Sequence, residues 1–142
     1  ITTTHSGSSS LKMTGTGGKW HTVGAYLYNR PLNLTSFNRI CIWVYDTVPE
    51  DGGQHTMGLR LLDKFGGNWE VWSYWSNACD PTHTQLNSWV RMCFNLASFN
   101  ENKVDLSAVA KVQMTMYLDG DYYFDDITVY SVVYLPYVVR TH

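Results

Sequence analysis

Residues 56–75 read TMGLRLLDKFGGNWEVWSYW, and the spacing of their apolar side chains decides the fold. Between positions 56 and 63, Met57, Leu59 and Leu61 recur every second residue, with Arg60 among them. Such alternation gives an extended strand one apolar and one polar face, and it fits no helix. Gly66 and Gly67 then mark a turn. Positions 69–75, WEVWSYW, form a second strand carrying Trp69, Trp72 and Trp75, half of the chain's six tryptophans. Successive side chains of a strand point to opposite faces, so these rings cannot all enter one core. Either Trp69 and Trp75 face outward with Val71 and Ser73, or Trp72 does. A single bulge exchanges the two, so alternation leaves both open.

The same signal recurs along the chain, and no segment shows a 3.6-residue apolar period. Eight strands are predicted, at 9–16, 20–28, 39–46, 56–63, 69–75, 89–96, 111–118 and 122–130, punctuated by Gly, Asn, Asp and Pro. "LASF" and "DLSAV" read as brief helical turns. Regular short strands with turn signals predict an all-β, two-sheet antiparallel sandwich. In the second strand Val23, Ala25 and Leu27 turn inward, leaving Trp20, Thr22, Gly24 and Tyr26 outside. In the seventh Val112, Met114, Met116 and Leu118 turn inward, leaving Gln113, Thr115 and Tyr117 outside. These outer faces are aromatic and hydrogen-bonding where a solvated face carries Lys and Glu, and they read as selected for contact.

Composition narrows the function classes. The 142 residues suit one domain, and the 15% aromatic content is rich in the amphipathic rings favoured at binding surfaces. A net charge of −2 with scattered Lys and Arg argues against nucleic acid. No apolar run reaches the ~18 residues of a membrane span. The opening ITTTHSGSSS reads like the start of a module within a longer polypeptide. Three cysteines fit neither a disulfide scaffold nor a zinc spacing.

Four stretches in order, SLKMTGTG, LNLTSFNRICIWVYD, SWVRMCFNLASF, and DLSAVAKVQMTMYL with YYFDDITVY, resemble the β-jelly-roll carbohydrate-binding modules of plant-polysaccharide hydrolases. The likeness is closest to the cleft-type, glucan-binding modules of family eleven and its neighbours. It implies one sheet ordered second, seventh, fourth, fifth and another ordered first, eighth, third, sixth, within a single module over residues 1–130. Residues 131–142 are left as a strand extension or linker. The aromatic outer faces then share one sheet, which grips the glycan in related modules. There Trp20, Tyr26 and Tyr117 supply stacking platforms, Arg60 and Gln113 supply hydrogen bonds, and Trp72 and Trp75 are the candidates from the fifth strand.

The layout sets Cys41 and Cys93 on neighbouring strands, where a cross-strand disulfide is conceivable, but free thiols are the favoured reading. Related modules also bind a structural Ca²⁺ at the first Asp of the D-D-I motif, here Asp125. No acidic residue precedes Asp46 to supply the usual second carboxylate, so no cofactor is expected to be required. The sequence therefore predicts a secreted, monomeric, non-catalytic module that binds a plant cell-wall polysaccharide, with β-glucan or xyloglucan the best guess, beside a glycoside hydrolase domain in the same polypeptide. Two alternatives remain. A jelly-roll hydrolase or lyase needs paired carboxylates or a Tyr/His base beside an Arg. A protein-binding adhesion sandwich predicts a flatter patch without a polar floor.

Overall fold

Among the described residues, eight strands pair into two four-stranded antiparallel sheets, giving a β-sandwich with jelly-roll topology. The computed structural model describes residues 6–16, 21–26, 30–47, 56–74, 87–116 and 119–131, with backbone alone at 25, 26, 46 and 74. The strands are β1 (Leu11–Gly15), β2 (His21–Tyr26), β3 (Arg39–Asp46), β4 (Thr56–Asp63), β5 (Asn68–Tyr74), β6 (Trp89–Asn95), β7 (Val109–Met116) and β8 (Gly120–Tyr130). One sheet runs β1-β8-β3-β6 and the other β2-β7-β4-β5, the order that the resemblance implied. The two expected helical turns are α1 (Ala97–Asn100) and a 3-10 turn at Leu106–Ala108.

Period-two alternation fills the space between the sheets. Met57, Leu59 and Leu61 of β4 and Val112, Met114 and Met116 of β7 meet Ile40, Ile42 and Val44 of β3 and Val90, Met92 and Phe94 of β6. Burying each such side chain contributes roughly 1.5–3 kcal/mol, enough to fix which face of each strand is inside. Leu34, Phe99, Val104 and Leu106, from the connecting segments, belong to the same core.

One bulge changes the reading of β8. Cys41 pairs with Thr128 but Trp43 pairs with Asp125, so β8 carries an extra residue there. Asp126 adopts a left-handed φ of 47° at that point, a conformation Asp tolerates. Tyr122 and Phe124 are buried before the bulge, and Val129 packs on the core after it. The parity has flipped, which turns Tyr130 outward.

Cys41 and Cys93 form a disulfide, which corrects the expectation of free thiols. The two residues are direct partners in the β3–β6 register, with Cα atoms 4.1 Å apart. Both point away from the core, because Ile40, Ile42, Met92 and Phe94 on either side point into it. Sequence reading had placed them on neighbouring strands, but a period of two cannot supply the register.

Asp63 ends β4 and holds the turn to β5. Its Oδ1 accepts from the backbone N–H of Phe65 at 2.8 Å and of Gly67 at 2.9 Å, and its Oδ2 from that of Asp105 at 2.8 Å. Burial pushes the Asp63 carboxyl up, but these backbone donors prevail and hold it below the usual carboxylate value. Gly67 is required here, since a β carbon would collide with the Asp63 carboxylate and the Lys103 carbonyl.

Candidate functional site

The register of the β2-β7-β4-β5 sheet sorts its outer face into rows. One row runs Thr22, Thr115, Gly58, Trp72; the next runs Gly24, Gln113, Arg60, Glu70; a third runs Tyr26, Lys111, Leu62, Asn68. The choice that alternation left open in the fifth strand is made by Val71, which packs against the core. Glu70 and Trp72 therefore face outward, and Trp72 is 39% exposed. Trp69 shares the inward parity of Val71 yet stays 44% exposed, because β5 is the edge of its sheet.

Glu70 organises the middle of the face. Its Oε1 accepts from the Thr115 hydroxyl at 2.7 Å, and its Oε2 from Arg60 Nη2 at 3.1 Å. Thr115 has one hydroxyl proton, which it gives to Glu70, so the 3.1 Å contact between the Thr22 and Thr115 hydroxyls is donated by Thr22. The chain of donation runs Thr22 to Thr115 to Glu70, with Arg60 donating from the other side. The Glu70 side chain is only 16% exposed and the Arg60 side chain 41%, so the carboxylate forms a floor and the guanidinium a rim. Arg60 Nε is buried with no hydrogen-bond partner. Beside this network, two glycines leave room for their neighbours: the Gln113 and Lys111 side chains cover Gly24, and the Trp72 indole and Glu70 carboxylate cover Gly58.

The structure thus brings Arg60, Trp72 and Gln113 of the candidate residues onto one face. Tyr26 pairs with Lys111 through its backbone at the same sheet's edge. Trp20, Trp75 and Tyr117 lie outside the described residues. Sequence reasoning did not assign Glu70, Thr22, Thr115 or Lys111 to the site. A signal for Glu70 was available: setting Arg60 opposite Glu70 across the turn also sets Leu59 opposite Val71, which places both apolar residues on the inner face.

Asp125 sits elsewhere, on β8. Its Oδ2 accepts from the Ser6 backbone N–H at 3.2 Å, while the Ser6 hydroxyl donates to both oxygens of Asp126, at 2.8 and 2.7 Å. Among the described residues no group of three His, Cys, Asp or Glu converges on a metal position.

The opposite sheet is also aromatic outside, but its rings pack on one another. Tyr45 lies 5.5 Å from Trp89 and 6.1 Å from Tyr123, at interplanar angles of 60° and 79°. Lys12 lies over Tyr123, and Arg91 over Tyr130. Tyr45, Trp89 and Tyr123 thus stand as tilted rings in mutual contact and not as one flat shelf.

No protein-family model and no curated protein sequence matches the chain. Two solved structures share its fold. One is the family 30 carbohydrate-binding module of a cellulosomal cellulase of Clostridium thermocellum, with 21% identity over 91% of this chain and 78% of that one, at a TM-score of 0.59. The other is a crystal structure described as a family 30 carbohydrate-binding module, with 18% identity over 94% and 72% of the two chains, at a TM-score of 0.57. Both carry the number 30, whereas the sequence motifs looked closest to family eleven and its neighbours.

Proposed function

We propose that the chain is a non-catalytic carbohydrate-binding module whose outer β2-β7-β4-β5 face receives a single plant cell-wall polysaccharide chain, of the mixed-linkage β-glucan or xyloglucan class. The observation that carries the reading is the exposed Trp72 indole set beside the Glu70–Arg60 pair. Sugars present C–H patches on their flat faces and hydroxyls around their rims, so an indole takes the face while a carboxylate and a guanidinium take the rim. The two structural neighbours, both carbohydrate-binding modules by name, support it at the level of fold. Trp20, Tyr26, Trp75 and Tyr117 belong to the proposal as further platforms.

The hydrolase alternative is disfavoured by the carboxylates. Among the described residues of this face Glu70 is the one acid, and both of its oxygens are already bonded. Glycoside hydrolysis needs two carboxyl groups across the scissile bond. The adhesion alternative predicts a face without a polar floor, and the Thr22–Thr115–Glu70 chain provides one. A cross-strand disulfide suits an oxidising, extracellular setting. Attachment to a glycanase and a monomeric state complete the proposal.

Affinity gel electrophoresis against a polysaccharide panel, with a reducing-sugar assay on the same samples, tests this reading. The wild type is retarded by one glucan class, and Trp72→Ala weakens that binding by about 5- to 150-fold, the loss of one stack worth ~1–3 kcal/mol. Retardation by no polymer overturns the carbohydrate reading. New reducing ends overturn the non-catalytic one.

A further inference from the structure

Gly58 sits in the middle of β4 with no conformational need to be glycine. Among the described residues the glycines with positive φ are Gly7, Gly66 and Gly120, and Gly58 is not one of them. It pairs in regular register with Trp72 on one side and Thr115 on the other. A glycine in a strand interior forfeits side-chain packing and chain entropy, and it often marks a close approach. The close approach here comes from two side chains of the proposed site. A β carbon on Gly58 would lie 2.8 Å from Trp72 Cζ2, 2.9 Å from Trp72 Cε2 and 3.0 Å from Glu70 Oε1. Carbon atoms in van der Waals contact stand about 3.5–4.0 Å apart, so any residue but glycine displaces the indole or the carboxylate.

Strand side chains ordinarily stand perpendicular to their sheet. Trp72 instead leans across β4 into the space above Gly58, and Glu70 reaches over the same strand to bond Thr115 on β7. We infer that Gly58 is a positioning residue of the site: it lets the Trp72 ring and the Glu70 carboxylate come together over one strand, so that a ring face and a hydrogen-bond acceptor address the same sugar unit. This rests on the carbohydrate reading above and goes beyond it, because it assigns the alignment of platform and floor to a residue that touches no ligand. Gly24 is the internal comparison. It too lacks a positive φ, but a β carbon there would meet Gln113 Cγ at 2.8 Å and Lys111 Cε at 2.9 Å, and no ring.

The test uses Gly58→Ala, Gly24→Ala, Trp72→Ala and the Gly58→Ala/Trp72→Ala double variant. Affinity is read by titration calorimetry with soluble mixed-linkage β-glucan and with xyloglucan, and stability by thermal unfolding. Gly58→Ala should weaken binding about tenfold without lowering the unfolding midpoint, since alanine suits a strand interior better than glycine does. On the Trp72→Ala background the same change should weaken binding by less than about twofold, because sites that act through one another are not additive. Gly24→Ala should leave the Trp72-dependent part of the affinity in place. If Trp72→Ala abolishes binding while Gly58→Ala binds like the wild type, the inference fails and the carbohydrate reading stands. If Gly58→Ala loses affinity and stability together, and adds fully to Trp72→Ala, Gly58 is merely structural and the inference fails. If the wild type binds neither polymer, the carbohydrate reading fails first and takes the inference with it.

Discussion

Replacing Asp63 should make the protein both less stable and less sensitive to acid. The buried carboxylate, 7% exposed, accepts from three backbone N–H groups that join the end of β4, the turn into β5 and the segment before the 3-10 turn. Asp63→Ala orphans all three donors, and each buried donor left unsatisfied costs about 1–3 kcal/mol, so the loss should be about 3 kcal/mol or more. That is a large share of the ~5–15 kcal/mol by which a domain is stable. Asp63→Asn is subtler. Its amide oxygen can keep the Phe65 and Gly67 bonds, but its NH₂ then faces the Asp105 N–H, donor against donor. The expected loss is about 1.5–3 kcal/mol, one bond to a charged acceptor. The sign of the pH effect follows from the carboxyl being lowered in the folded state. Its stabilisation is complete above the unfolded value near ~3.9 and is lost as pH falls through the folded value. Urea unfolding at pH 7 and at successive steps from pH 5 to 2.5 checks this. The wild type and Asp63→Asn should differ at pH 7 and converge as the wild-type carboxylate protonates. A gap that stays constant with pH, or an Asp63→Ala loss under about 1 kcal/mol, would refute the argument.

Reducing the Cys41–Cys93 disulfide, or replacing both cysteines by serine, should cost about 2–4 kcal/mol, seen as a lower urea midpoint with dithiothreitol, because the bond closes a loop with a sequence separation of 52. The bonded pair lies on the sheet opposite the proposed site, so glucan affinity measured well below the midpoint should not change. Glu70→Gln should weaken glucan binding several-fold while changing stability by less than about 1 kcal/mol, since its Arg60 partner is a rim cation open to water. Arg60→Ala added to Glu70→Gln should then do less to affinity than Arg60→Ala alone, and full additivity in that cycle would show that the two side chains act separately.

The sandwich and its strand order were legible because alternation and turn residues are local signals. Met57, Leu59 and Leu61 needed no partner to declare an inner face, and the jelly-roll motifs supplied the pairing. What stayed hidden depends on register. The fifth strand carries apolar rings on both faces, so only its pairing with β4 shows that Val71 is inside and Trp72 outside. Glu70 follows from the same pairing and was missed for the same reason. The disulfide was weighed but ranked behind free thiols, because neighbouring strands do not reveal which residues stand opposite each other. Tyr130 is turned outward by a bulge that the motif YYFDDITVY does not announce. Gly58 looked like an ordinary strand residue, because the need for a glycine lies in the side chains of the next strand and not in its own backbone.

The Cys41–Cys93 bond also determines how the module answers to pulling. Tension applied through the two ends of the chain passes from Cys41 to Cys93 across the sulfur bridge and bypasses everything between them. That bypassed stretch includes β4 and β5, and so Gly58, Arg60, Glu70 and Trp72. A pull on the two chain ends is therefore carried by the ends of β3 and β6 and by the strands outside the bridge. Under such a pull the covalent path leaves out the hairpin that bears the indole.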